Sequence, residues 1–270
     1  MPEGHTLHRI AGQLTAAFAG QVVRSTSPQG RFDAGAARLD GRRLVEAVAR
    51  GKHVLVSFEG IDDRVHVHLG LFGGWVLEPG DTPVRGQVRW RIATDEHVAD
   101  LRGPTACDLL TPPEVDALLA RLGPDPLVPG ADLEPAWARI SRSRTSIAAL
   151  LMDQAVVSGV GNVYRAEVLF RHGVDPTTPG RELTRASWED LWADLVVLMA
   201  EGVRTGRIDT VRPEHEPEAM GREPRQDDHG GEVYVYRRAG QPCLVCGTPV
   251  LTAVVASRNL FWCPNCQRGR

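Results

Sequence analysis

Hydrophobic residues make up 42% of this 270-residue chain, yet no stretch approaches the ~18 to 20 unbroken apolar residues of a membrane span. The amino terminus also lacks a basic region followed by an apolar run, so no secretory signal is expected and the cytoplasm is the expected location. Strong charge of one sign is missing as well. Against 34 acidic residues there are 31 basic ones, and a net charge of −3 does not announce a nucleic-acid partner. No internal repeat is present. Cysteine is sparse, at five residues.

What is present is unevenly placed. Residues 237–270 carry five arginines and no acid, whereas residues 208–232 carry eight acids against three arginines. A basic C-terminal module behind an acidic loop describes the chain better than its mean charge. The length suffices for two domains, each with its own core.

The expected fold class is α+β. Residues 3 to 19 read as a leading helix, with Leu7, Ile10, Leu14, Ala17 and Phe18 on one face and Gly20 as a stop. Residues 21 to 110 read as short strands such as Val54–Phe58 and Val65–Leu69, which predicts a β-sandwich or barrel. Gly123–Gly130 holds three prolines and two glycines and reads as a linker. Helices follow over 136 to 200, then the acidic, proline-rich loop and a small terminal unit. The expected division is 1–122, a linker at 123–135, a helical domain with its flexible loop at 136–236, and a terminal module at 237–270.

Four of the cysteines form the strongest local pattern. Cys243-x2-Cys246 and Cys263-x2-Cys266 are separated by sixteen residues, the spacing of a four-thiolate tetrahedral zinc site. Two disulfides or free core thiols are the alternatives, and the missing secretion signal favours zinc. A closed all-cysteine site leaves no open position, so one structural ion is expected that folds the module and does no chemistry. Leu251–Ala256 is expected as one strand of a ribbon, with Arg258 at its tip, where a guanidinium can hold a phosphate. Cys107 reads as a buried thiol.

Three further elements are chemically suggestive. In Ser158-Gly-Val-Gly-Asn162 an apolar segment turns into a second helix; the glycines permit close backbone approach, and the new helix end favours an anion. An ordinary helical hairpin explains the same residues. Gly51-Lys52-His53 opens a strand, where a lone lysine is usually a solvated charge. Pro2-Glu3 offers, once Met1 is removed, a secondary amine that condenses with carbonyl carbons, with a carboxylate next to it; Pro-Glu is equally a common helix opening.

Together, Pro2-Glu3-Gly4, Gly51-Lys52, the Gly-Val-Gly-Asn162 turn and Arg258 five residues before Cys263 resemble the Fpg/Nei family of DNA glycosylase/AP lyases. The Pro-Glu-Gly opening is similar to its endonuclease VIII (Nei) branch. The His68–Gly73 and Phe261–Pro264 stretches look like actinobacterial members. The resemblance implies a catalytic β-sandwich, a helix–two-turn–helix domain and a zinc-finger β-hairpin. It implies that Pro2 attacks C1′ of a damaged nucleoside, that Glu3 protonates the ring oxygen, and that Lys52 and Arg258 assist β- and δ-elimination. Starting a helix at Pro2 would keep more of the amine neutral. The same dipole favours an ionised Glu3, and burial would oppose it. Asn162 and Arg121 would grip phosphate.

Base extrusion leaves a gap, and Leu71 and Phe72, ringed by Gly70, Gly73 and Gly74, are the candidate wedge; core residues of a hairpin are the alternative. His66 and His68 alternate with apolar residues and are expected to line a strand face rather than bind metal. Where the Nei pattern has a glutamine before the leucine-aromatic pair, this chain has Gly70, so the wedge brings no side-chain amide to the opposite base. The implied activity is excision of oxidised bases from double-stranded DNA, pyrimidines ahead of purines, with β,δ-nicking. A monomer acting on nucleoid DNA is expected, without membrane contact. The alternatives are the same chemistry on oxidised purines, a catalytically silent DNA-binding scaffold, and a zinc-ribbon protein for other partners.

Overall fold

The computed structural model describes residues 2–226 and 231–268. The chain divides into two compact units, Met1–Arg121 and Leu122–Arg270.

In the first unit, α1 (Gly4–Phe18) buries Leu7, Ile10, Ala11, Leu14, Ala17 and Phe18, the i, i+3, i+4 face that the sequence shows. It is one residue shorter at each end than expected. Glu3 is extended (φ −114°, ψ 176°) and serves as N-cap, and Ala19 leaves the helix at ψ 135°. Then come β1 (Arg24–Thr26), α2 (Asp33–Leu39), β2 (Leu44–Arg50), β3 (His53–Phe58), β4 (Ile61–His68), β5 (Gly74–Pro79), β6 (Trp90–Ala93), β7 (His97–Arg102), β8 (Ala106–Leu110) and α3 (Pro112–Leu119). Two four-stranded antiparallel sheets result, in the orders β1-β6-β7-β5 and β2-β3-β4-β8.

Both sheets and α1 share one core, in which Val54, Val56, Val65 and Val67 meet Trp90, Ile92, Ala99 and Leu101. Leu55, between Val54 and Val56, points the other way and packs with Val115 and Leu118 of α3. The strand period of two therefore appears as two covered faces. This is the expected sandwich with a leading helix.

The second unit contains α4 (Glu134–Ile140), α5 (Ile147–Leu150), α6 (Asn162–Arg171), α7 (Arg185–Thr205), α8 (Pro217–Met220), β9 (Leu251–Val255) and β10 (Arg258–Trp262). Thr184 caps α7 by accepting the Ser187 N–H, and Gly206 ends it at φ 77°. The proline-rich stretch carries no helix and lies against this unit. Gly123 N–H donates to Gln154 O, Ser158 N–H donates to Pro124 O, and Asp125 is buried.

One core runs from the helices into the terminal hairpin, joining Trp188, Leu191 and Leu195 to Tyr234, Val235, Leu260, Phe261 and Cys263. Gln267 pins the two together by accepting the Cys263 N–H at 2.9 Å and donating to Val174 O at 3.0 Å. Within the acidic segment, Arg222 pairs with the buried Glu232 at 2.6 Å. Residues 227–230 of the loop expected at 212–231, and Met1, whose removal the chemistry requires, lie outside the described residues. Among the described residues no helix is long and apolar enough to cross a membrane.

Candidate active site and nucleic-acid interface

In the first unit, Pro2 is half-buried and Glu3 is 0% exposed at the N-terminal end of α1. Pro2 thus precedes the N-cap rather than opening the helix, because Glu3 is held extended before the first helical turn. His5, in that turn, is buried too. Burial first, then the Arg9 charge, pulls its imidazole down to about 4, so it is neutral at physiological pH.

Lys52 is the one lysine of the sequence. It occupies a two-residue turn between β2 and β3, closed by the Arg50–His53 pair, with Gly51 at φ 57° in the first turn position. The neighbouring His53 begins an array of three imidazoles on one face of β3 and β4. His53 Nδ1 lies 2.8 Å from His66 Nε2, and the His53 and His68 rings are 4.9 Å apart. Burial, then His66, His68, Arg121 and Lys52, push His53 down to about 3. Lys52, His53 and Arg121 are therefore electrostatic neighbours. Arg121 itself is exposed after α3.

Leu71 and Phe72 lie on the turn after β4 and are exposed, Phe72 at 93%, so neither is a core residue. Gly70 precedes them at φ 68°, where a Cβ would sit 2.3 Å from Thr105 Cγ2. That backbone explains why glycine stands there and why a glutamine would not fit it without rearrangement.

In the second unit, Gly161 caps α6 and Asn162 is its first residue, only 6% exposed. Its amide faces the terminal hairpin: Nδ2 donates to Asn259 O at 2.9 Å, and Oδ1 accepts from Arg165. The structure thereby joins Asn162 to the residue next to Arg258. The hairpin turns through Ala256 (φ 51°) and Ser257 (φ 58°), and Arg258, paired with Val255, is exposed at its tip.

The four cysteine sulfurs lie within 4.8 Å of one another and form the one such cluster among the described residues. Cys246 Sγ lies 3.5 Å from Cys263 Sγ and Cys243 Sγ 3.8 Å from Cys266 Sγ, and none of the four is in a disulfide. A tetrahedron with metal–sulfur bonds of about 2.3 Å has edges of about 3.8 Å, so this quartet fits a closed metal site.

Three contributors take roles that no sequence pattern assigns. His53 pairs across strands, Arg165 holds Asn162, and Glu167, 0% exposed, gathers the N–H groups of Tyr234, Val235 and Tyr236. The signal for the last two was two charges inside an apolar helical run, Val163-Tyr-Arg-Ala-Glu-Val-Leu169.

Family profiles match along the chain: the formamidopyrimidine-DNA glycosylase N-terminal domain over residues 1–107, its H2TH domain over 122–213, and the zinc finger found in FPG and IleRS over 240–269. A Mycobacterium tuberculosis protein named endonuclease 8 1 is 49% identical over 99% of this chain and 100% of its own length. The chain belongs to the Fpg/Nei family of DNA glycosylase/AP lyases. A probable endonuclease 8 2 of Streptomyces coelicolor is 33% identical over 100% of this chain and 95% of its own. In fold the chain is similar to a Lactococcus lactis FPG mutant solved with Fapy-dG DNA (TM-score 0.80, 21% identity, 99% of this chain and 100% of that one). The expected α+β class, with its sandwich, helical domain and four-cysteine finger, is the observed one.

Proposed function

We propose that this enzyme excises oxidised bases from double-stranded DNA, pyrimidines ahead of purines, and nicks the strand by β,δ-elimination through an iminium on Pro2. The observation that carries the reading is the start of α1, where a potential secondary amine at Pro2 adjoins a fully buried carboxylate at Glu3. The pyrimidine preference follows from the resemblance to the endonuclease VIII branch, and the full-length 49% identity to a protein named endonuclease 8 1 supports that branch.

The Pro2 nitrogen, freed by loss of Met1, attacks C1′ as the N-glycosidic bond breaks and the base departs with the bonding pair and a proton. Opening of the C1′–O4′ bond leaves the iminium, and Glu3 protonates the ring oxygen. Loss of a C2′ proton expels the 3′-phosphate, and a second elimination expels the 5′-phosphate. Lys52 holds the first phosphate and Arg258 the second. Asn162 and Arg121 contact the backbone, and Leu71 and Phe72 fill the gap left by the extruded base. One zinc ion held by Cys243, Cys246, Cys263 and Cys266 stabilises the finger and takes no part in the chemistry. The protein acts as a cytoplasmic monomer, with the division 1–122, 123–135, 136–236 and 237–270.

The test is borohydride trapping on duplexes with thymine glycol, 5-hydroxyuracil or 8-oxoguanine. Because the chain has a single lysine, Lys52→Arg leaves the amino terminus as the one aliphatic amine. Mapping the reduced adduct of that variant to Pro2 supports the mechanism. An adduct that maps to Lys52 in the parent and vanishes in the variant overturns it. Best trapping on 8-oxoguanine overturns the pyrimidine preference, and no adduct on any duplex or on an abasic site leaves a DNA-binding scaffold.

A further inference from the structure

Among the described residues, three that are not glycine hold a left-handed backbone: Ala256 and Ser257 at the hairpin tip, and Arg237 at φ 54°. Strain of this kind concentrates where a particular side chain is needed, at ligand clamps and active sites. Arg237 is exposed, whereas Arg238 beside it is buried. The Arg237 Cζ stands 5.6 Å from the centre of the Tyr236 ring. That ring in turn meets Phe261 of β10 edge-on, with 5.5 Å between centres, and β10 is the strand that Arg258 opens.

Arg237 lines a cavity of about 360 Å³. Among the described residues its walls hold four arginines, Arg222, Arg225, Arg237 and Arg238, against two acids, Glu223 and Glu232. Three of the arginines are built into the wall. Arg222 pairs with Glu232 at 2.6 Å, Arg225 donates to Gly231 O and Tyr236 O, and Arg238 donates to Tyr234 O and Pro242 O. The positive excess is felt inside the wall. Burial pulls the Arg238 guanidinium down from its ordinary value, and the Arg222 and Arg225 charges add to that pull against Glu167 and Cys243. The buried Arg222 Nε also has no acceptor among the described residues. A concave surface with this field selects an anion.

We infer that this cavity is an anion subsite of the DNA interface, in which Arg237 holds a backbone phosphodiester. A guanidinium matches phosphate oxygens with paired donors, and one laid over an aromatic ring points its N–H edge away from that ring. Arg222, Arg225 and Arg238 supply the field and Arg237 the exposed donors. Tyr236 and Phe261 connect the subsite to the strand of Arg258, which favours DNA over a small anion as the occupant. The inference rests on the double-stranded DNA partner of the proposed function and on none of its chemical steps.

The experiment uses the full-length, zinc-loaded enzyme, Arg237→Gly and Arg237→Gln. Binding is measured from low to moderate salt on an undamaged duplex and on one with a tetrahydrofuran abasic analogue, beside zinc content and thermal unfolding. Glycine takes φ 54° without a Cβ, so Arg237→Gly should melt no lower than the parent. Both variants should still bind both duplexes about tenfold more weakly at low salt. The slope of log affinity against log salt should fall by about one, as for one lost phosphate contact. Arg237→Gln should share the loss even though it keeps a side-chain stem over Tyr236.

Unchanged affinity and slope in both variants overturn the inference. So does a loss confined to the damaged duplex, which would make Arg237 a lesion contact. Lower melting or lost zinc in both variants would make Arg237 a structural residue, and the inference fails again. Inorganic phosphate against chloride at matched ionic strength covers the other source of the same chemistry. If phosphate raises the melting of the parent but not of the variants, while duplex affinity is the same in all three, the cavity takes a free anion and the assignment to DNA is overturned. A parent that binds neither duplex would instead overturn the proposed function, an outcome separate from all of these.

Discussion

The Thr210 hydroxyl donates to Glu167 Oε2 at 2.6 Å, and the same fully buried carboxylate accepts the N–H groups of Tyr234 at 2.7 Å, Val235 at 2.9 Å and Tyr236 at 2.8 Å. One side chain on α6 thus ties down the chain on both sides of the acidic segment. Glu167→Gln keeps the shape but turns one acceptor into a donor facing N–H groups. At least one buried N–H is then left without an acceptor, at about 1 to 3 kcal/mol per orphaned group. Chemical denaturation should show a loss of that size or larger, and Thr210→Val a smaller one. A Glu167→Gln protein as stable as the parent would contradict this account.

Protonation gives a second prediction. His5 has a folded-state pKa of about 4 against 6.5 when unfolded, so the unfolded chain binds the extra proton first as pH falls. Stability from the neutral imidazole is complete above pH 6.5 and is lost progressively down to about pH 4, on the order of 3 kcal/mol in all. His53, at about 3, acts in the same direction over a longer range. Asp194 works lower. Burial raises its pKa, but hydrogen bonds from His172 and Arg171 hold it down to about 2, so its contribution disappears only below the usual carboxylate range. Thermal unfolding from pH 7 to 4 should therefore fall less steeply in His5→Gln than in the parent. Parallel curves would remove His5 from the explanation.

Metal removal should reach beyond the finger. Cys243, Cys263, Leu260 and Phe261 belong to the same apolar core as Trp188 and Leu191, whereas the sandwich has its own. Chelation, or Cys263→Ser, should lower the melting of the helical unit and leave a separate sandwich transition in place. Calorimetry reads this directly, and two unshifted transitions would show that the finger folds independently of the helices.

The parts legible in the sequence were those whose chemistry is local in the chain. The cysteine knuckles, the Gly51-Lys52 turn and the α1 stripe are spacing patterns, and spacing survives folding. The charge pattern read less well. Arg238, counted towards a basic module, is buried and donates to Tyr234 O, Gln241 Oε1 and Pro242 O. Glu232 of the acidic stretch is taken up by Arg222 and by the Arg225 N–H. Net charge counts groups without knowing which ones folding neutralises. The His53–His66 pair and the Arg165 and Glu167 clasps depend on register and on contacts between segments distant in sequence. Periodicity does not encode these.

The turn after β4 supplies the last prediction. Phe72 is 93% exposed, so truncation removes almost no buried contact, and Phe72→Ala should melt within about 0.5 kcal/mol of the parent. If the ring fills the space left by an extruded base, its loss penalises excision, which must unstack that base, more than strand cleavage at a preformed abasic site. Unstacking amounts to a few kcal/mol, so excision from duplex DNA should slow by about tenfold or more, with abasic-site nicking changed only a few-fold. Gly70→Ala should behave in the opposite way. A Cβ at φ 68°, 2.3 Å from Thr105 Cγ2, strains the turn itself, so stability and both activities should fall together. Equal slowing of excision and nicking in Phe72→Ala would show that the exposed ring is not the wedge.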